Sequence, residues 1–209
     1  VKIIKQTGGT MKDTTLITGL ALAKSRIHPE MNERGGAGSI LLLDGGVEKR
    51  KTQLDTKLNI TTPGMIEAFR KAETKGLISQ IENLVEIGCD VLVCKEGVDE
   101  EARQALCDRG ILTYRRVEKK DLDLLSRACG ANLVPDAQRA TKGDLGSFIN
   151  TREELRGGVN NWILDAAEGG ATLIARGSTE GVLDEVVRCF ADGLGVACQL
   201  LEKPILLTG

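Results

Sequence analysis

Six cysteines (Cys89, Cys94, Cys107, Cys129, Cys189 and Cys198) and one histidine, His28, are the side chains of this 209-residue sequence best suited to metal or redox chemistry. Their spacing argues against both. There is no CxxC pair, and zinc and dithiol sites need closely spaced ligands, so the pattern predicts buried free thiols in a reducing cytoplasm and no metal site. Gly35-Gly36-Ala37-Gly38 and Gly169-Gly170 have the composition of a phosphate cradle. Neither follows a strand and opens a helix in G-x-G-x-x-G or P-loop form. No G-x-S-x-G elbow or HExxH is present, and a single imidazole leaves little material for general-base catalysis. Asp192 stands apart, because it falls between Phe190 and Leu194 on an apolar stripe, beside Gly193 and Gly195. A structural carboxylate there would salt-bridge or point to solvent. No self-contained active site is legible.

The elements that must position these residues are those of a soluble α/β chain. Hydrophobic residues make up 41% and charged residues 28%, enough for a real core, so disorder is excluded. With 28 Lys and Arg against 30 Asp and Glu, the formal charge is -2, and no basic field exists to hold nucleic acid or anionic lipid. Aromatics are 2% of the chain, too few for base-stacking platforms. No apolar run reaches membrane-helix length and Val1 to Gln6 lacks a signal-peptide layout, so a soluble, unprocessed chain is expected.

Thr14 to Ala23 and Ser39 to Leu43 read as buried strands, separated by a polar surface loop, Lys24 to Gly38, that carries His28. His28 there is either a solvated connector residue preceding Pro29 or a functional group. Gln53 to Ile60 reads as extended. Thr61-Thr62-Pro63 then starts a long helix ended by Gly88, with Leu77, Ile78, Ile81, Leu84 and Val85 on one stripe and Gln80, Glu82, Asn83 and Glu86 away from it. On its first half, Met65, Ile66 and Phe69 are flanked by charge and suit either core contacts or an exposed apolar tip. Strands at 90–94, 111–117 and 132–134 alternate with helices at 98–108 and 119–129, which implies βαβ units and a parallel sheet flanked by helices. In the first of these helices Ala102, Ala105 and Leu106 face inward and Glu100, Glu101, Gln104 and Asp108 outward. Asn160 to Asp165 and Ala171 to Ala175 read as a strand pair. A final helix, capped by Ser178 or Thr179, carries Val182, Leu183, Val186, Val187, Phe190, Leu194 and Ala197 at helical spacing.

Read as strings, Gly8 to Gly19 (GGTMKDTTLITG), His28-Pro29-Glu30-Met31, Ser39 to Asp44 and Lys51 to Asp55 resemble the group II chaperonins, the thermosome and cytosolic chaperonin family, in order and spacing. The resemblance continues through Gly88 to Asp99 (GCDVLVCKEGVD), Gly110 to Val117, Lys120-Asp121-Leu122, Gly143 to Gly146, Arg176 to Glu180 and Asp184-Glu185. Departures are Glu30 for a usual Gly, Asn32 for a usual Pro, Ser178 for a Gly, and a weak match over 147–170. They point to a divergent branch such as the bacterial group III lineage.

The resemblance implies an apical domain at 9–175, with a helical protrusion at about 53–87, flanked by intermediate-domain segments at 1–8 and 176–209. It implies a molecular chaperone that captures non-native proteins and supplies part of a built-in lid, working with other subunits in a cytoplasmic double ring. Client contacts would fall on Ile27, His28 and Met31 of the loop and on Glu101, Gln104, Ala105 and Asp108 of the facing helix. Met65, Ile66 and Phe69 would be lid contacts. Asp192 matches the family's catalytic aspartate, and Gly209 begins a nucleotide-contacting turn. ATP and Mg²⁺ are implied for the complete subunit and none is expected on this chain alone, since the Gly-Asp-Gly-Thr loop is absent. The competing class is a stand-alone α/β enzyme or small-molecule binder, which would need a convergent polar pocket.

Overall fold

The computed structural model describes residues 1–31, 35–48, 63–167 and 169–202, and within 63–72 the backbone alone. The expected strand at 39–43 is β4, Gly38–Leu43, and Ile40 to Leu43 are inaccessible to solvent. Unbroken burial marks a strand covered on both faces, as parallel crossover topology requires. Strands β5 (Val91–Cys94), β6 (Leu112–Tyr114) and β7 (Leu133–Val134) lie parallel in the order β6-β5-β4-β7. β8 (Gly146–Phe148) pairs antiparallel with the start of β4. The three crossovers are helices α1 (Pro63–Ile87), α2 (Glu100–Asp108) and α3 (Lys119–Cys129). The α/β class and the parallel sheet expected from the alternation are both present.

Helix α1 differs from its expected stripe. Leu77, Ile81, Leu84 and Ile87 are buried together with Gln80, whereas Ile78 and Val85 face solvent. The core-facing arc is therefore rotated relative to the one read from hydrophobicity. It is held in register by Asn83, whose Nδ2 donates to the carbonyls of Ala137 and Ala140 at 2.8 and 3.0 Å. Gly88, at φ 80°, ends the helix as expected.

Two smaller sheets complete the chain. β10 (Val159–Asp165) lies between β9 (Asn150–Arg156) and β3 (Leu20–Leu22), antiparallel to both. β11 (Ala171–Gly177) lies between β1 (Lys2–Thr7), parallel, and β2 (Thr15–Thr18), antiparallel. The expected pairing of 160–165 with 171–175 is thus corrected: both strands form, in different sheets. The expected single strand at 14–23 is also split, at Gly19. There φ is 106° and a Cβ would sit 2.8 Å from the Leu164 carbonyl, so the chain can turn from one sheet to the other only through glycine.

The last helix, α4 (Glu180–Glu202), is capped by Thr179, whose Oγ1 accepts from the Val182 amide at 3.4 Å. Leu183 and Val186 pack against Ala175, but Leu194, Val196 and Leu201 are exposed, so the predicted stripe is covered along its first turns only. This corrects the reading of the cysteines. Cys89, Cys94 and Cys129 are buried free thiols, while Cys107 is half-buried and Cys189 and Cys198, on α4, are exposed. Among the described residues no helix is long and apolar enough to cross a membrane.

Candidate functional site

The segment after β3 runs along the outer edge of β6, where an uncovered strand would present unpaired amides and carbonyls. The Ile27 amide donates to the Thr113 carbonyl at 3.1 Å, and Lys24 Nζ donates to the Arg116 carbonyl at 2.6 Å. Arg26 fixes the turn that follows: its amide donates to Glu153 Oε1 at 2.9 Å and its Nη1 to the Met31 carbonyl at 2.8 Å. Glu153 Oε1 also accepts from the Tyr114 hydroxyl at 2.8 Å. A carboxylate on β9 thereby ties loop and sheet edge together. Ile27 and Met31, expected on a client surface, are 9% and 3% exposed and belong to the main core. They shape the loop from beneath and offer little apolar area to a ligand.

Across from this loop lies α2. Glu100 and Glu101 occupy its first turn, where the helix dipole favours negative charge. Ala102 and Leu106 are buried and Ala105 packs at the core margin, leaving Glu101, Gln104 and Asp108 on the solvent face as expected. Gln104 Nε2 donates to Asp108 Oδ1 at 2.9 Å, so the end of this face is an ordered acidic-amide pair. An imidazole nitrogen of His28, a carboxylate oxygen of Glu30 and Cys107 Sγ lie within 4.8 Å of one another, which brings loop and helix face to face. Burial, then the carboxylates of Glu30 and Asp108, push the Cys107 thiol above its ordinary range. The sequence reading placed His28 opposite this helix but missed Glu30 and Cys107 as its neighbours. The available signal was a cysteine next to the outward positions of an amphipathic helix.

Asp192 sits on the exposed outer half of α4 and accepts from Arg188 Nη1 at 3.0 Å. The same guanidinium holds Glu185 at 2.6 Å, and together with a Cys189 hydrogen bond it depresses the Glu185 carboxyl to about 2. The apolar stripe around Asp192 is open rather than packed, so the carboxylate is a salt-bridged surface group in this structure. Met65, Ile66 and Phe69 fall on the first two turns of α1, but their side chains lie outside the described residues. Gly209 and the extended piece expected at 53–60 lie outside them too. The Gly35–Gly38 and Gly169–Gly170 pieces lead into strands β4 and β11 rather than helices, so they form no phosphate cradle, and no step of nucleotide chemistry follows from them.

All 209 residues match the family model described as the TCP-1/cpn60 chaperonin family. The chain belongs to this family. It is 34% identical over 212 residues to the thermosome subunit alpha of Saccharolobus shibatae, covering all of this chain and 38% of that protein. It is 33% identical over 211 residues to the thermosome subunit beta of Methanothermobacter thermautotrophicus, again over the whole chain and 39% of the relative. The open-state monomer of a group II chaperonin from Methanococcoides burtonii superposes with a TM-score of 0.72 at 29% identity, over 93% of this chain and 43% of that one. This chaperonin chain therefore spans about two fifths of the length of the curated relatives it matches, and its fold is that of the group II chaperonin monomer over the matched region.

Proposed function

We propose that this chaperonin chain is the client-capturing part of an ATP-driven folding machine. The observation that carries the proposal is the match of all 209 residues to the chaperonin family model. The geometry supports it: the 24–31 loop and α2 face each other, with His28 and Glu30 of the loop within 4.8 Å of Cys107, and the outward Glu101, Gln104 and Asp108 of α2 are exposed beside them. On this reading 9–175 is the apical domain, 1–8 and 176–209 belong to the intermediate domain, and α1 projects as a lid element through Met65, Ile66 and Phe69. Other subunits in a double ring, cytoplasmic location, and ATP with Mg²⁺ in the complete subunit belong to the same proposal. Neither nucleic acid nor membrane is a partner in it.

The client surface would comprise Glu101, Gln104 and Asp108 with His28, while Ala105, Ile27 and Met31 act from the core side. Because Ile27 and Met31 are buried, capture would rest more on charge and hydrogen bonding than on apolar contact, and salt should weaken it. The test is crosslinking of a chemically unfolded protein to the chain. Reversing charge at both Glu101 and Asp108 should reduce capture several-fold without altering circular dichroism. Unchanged capture would remove these residues from the client surface, and no capture by the unsubstituted chain would remove the proposal.

A further inference from the structure

The loop and α2 bring together three donors of different chemistry that are remote in sequence. His28 and Cys107 are half-buried and Glu30 is exposed, and one ligand atom from each lies within 4.8 Å of the others. In a tetrahedral zinc site, metal bonds of about 2.0–2.3 Å put neighbouring ligand atoms about 3.3–3.8 Å apart. The cluster would need to contract by roughly 1 Å to reach that geometry, a motion within the reach of side-chain torsions at a surface loop. Asp108, next to Cys107, adds negative charge at the same place.

We propose that His28, Glu30 and Cys107 form a three-ligand site for a borderline divalent transition ion, with zinc as its best match, clasping the 24–31 loop to the end of α2. The donor set selects this class. One imidazole nitrogen, one thiolate sulfur and one carboxylate oxygen suit zinc and cobalt, whereas magnesium and calcium take all-oxygen shells. Binding releases the Cys107 proton to solvent, leaves His28 neutral, and keeps the fourth position for water or a ligand side chain. One local rearrangement is required. His28 Nδ1 now accepts the Glu30 amide at 3.3 Å, so the metal either takes Nδ1 and displaces that amide, or takes Nε2 while Nδ1 gains the proton and the amide turns to water. The bond is long and exposed, which makes its replacement by water inexpensive.

Two features make the test clean. His28 is the chain's one histidine, and the remaining exposed thiols, Cys189 and Cys198, can be changed to serine. In that background, cobalt titrated into the reduced, metal-free chain should bind one equivalent and give a thiolate-to-cobalt charge-transfer band. Cys107→Ser should abolish the band, and His28→Ala and Glu30→Gln should weaken binding at least tenfold and severalfold. No band, or a band that survives Cys107→Ser or His28→Ala at equal affinity, overturns the proposal. A second readout needs no change at the site: zinc should slow iodoacetamide alkylation of Cys107 at least tenfold, and an unchanged rate overturns it equally. The site can stand or fall apart from the client-capture reading, because charge reversal at Glu101 and Asp108 tests capture and cobalt binding does not depend on a client.

Discussion

The rings of Tyr114 and Trp162 stack with centroids 4.0 Å apart and planes 17° from parallel. One ring belongs to the edge strand of the main sheet and the other to the central strand of the β3-β10-β9 sheet, and both are fully buried. Trp162 Nε1 donates to Thr151 Oγ1 at 2.6 Å, so the polar edge of the indole is satisfied as well. Two sheets are locked together at one point.

Removing that lock should be expensive. Trp162→Ala is expected to destabilise the chain by about 3–5 kcal/mol, the range for deleting a large buried aromatic. Trp162→Phe, which keeps an aromatic stack but leaves the Thr151 hydroxyl unpaired, should cost less, about 1–3 kcal/mol. Urea unfolding followed by circular dichroism decides it, and equal losses for the two variants would show that the indole hydrogen bond dominates the stack.

Glu153 collects the Arg26 amide and the Tyr114 hydroxyl on one oxygen. Glu153→Ala should release the loop without melting the sheet, costing about 2–3 kcal/mol as two partly buried donors lose a charged acceptor. The specific signature is amide exchange at Ile27, whose hydrogen bond to Thr113 depends on where Arg26 holds the chain. If Ile27 exchanges at its original rate, the anchor lies elsewhere.

The Glu185 carboxyl is held well below its ordinary 4.5, at about 2, first by the Arg188 hydrogen bond. A depressed carboxylate contributes stability above its unfolded value and loses it as pH falls. The Glu185–Arg188 pair should therefore support α4 fully above about pH 4.5 and progressively less toward pH 2. Side-chain carboxyl resonances of Glu185 should titrate with a midpoint near 2, and Arg188→Gln should move that midpoint back up. A midpoint already at the ordinary value would mean that the pair does not persist in solution.

Asp192 is salt-bridged to Arg188 on an open helix, so replacing it should leave the fold of this chain untouched. On the proposed reading, Asp192→Ala in the complete subunit should preserve ATP binding and ring assembly and slow hydrolysis by a factor on the order of ten to a thousand. Near-normal turnover would leave Asp192 as a surface carboxylate and nothing more.

The local parts of the fold were legible because they are decided locally. Helix α3 spans Lys119–Cys129 as the 3.6-residue period predicts, and its Gly130 end adopts the left-handed cap. β4 was visible as an aliphatic run stopped by Asp44-Gly45-Gly46. What could not be read was long-range pairing. The strands at 159–165 and 171–177 look like neighbours in sequence, yet the Gly19 turn sends β2 and β3 to different sheets and parts them. The burial of Gln80 in place of Ile78 was hidden for the same reason, since the facing contacts of Asn83 with Ala137 and Ala140 are tertiary. At the site, outward Glu101, Gln104 and Asp108 followed from period alone. The meeting of His28 with Cys107 depends on a loop pinned by Glu153, and no spacing rule announces that.

The parallel pairing of β1 with β11 joins Lys2 to Thr172 and Thr7 to Gly177. A ribosome making this chain at about 5–20 residues per second would leave β1 without that partner for roughly ten to thirty seconds, because everything between must be synthesised first. The aliphatic sheet around β4 can form during that wait from segments already emerged, whereas the β1-β11-β2 sheet cannot. Assembly of this chain should therefore proceed from its middle outward, with its first strand docked among the last. A nascent-chain crosslinker on Ile3 or Lys5 should meet its β11 neighbours only after Gly177 has cleared the exit tunnel.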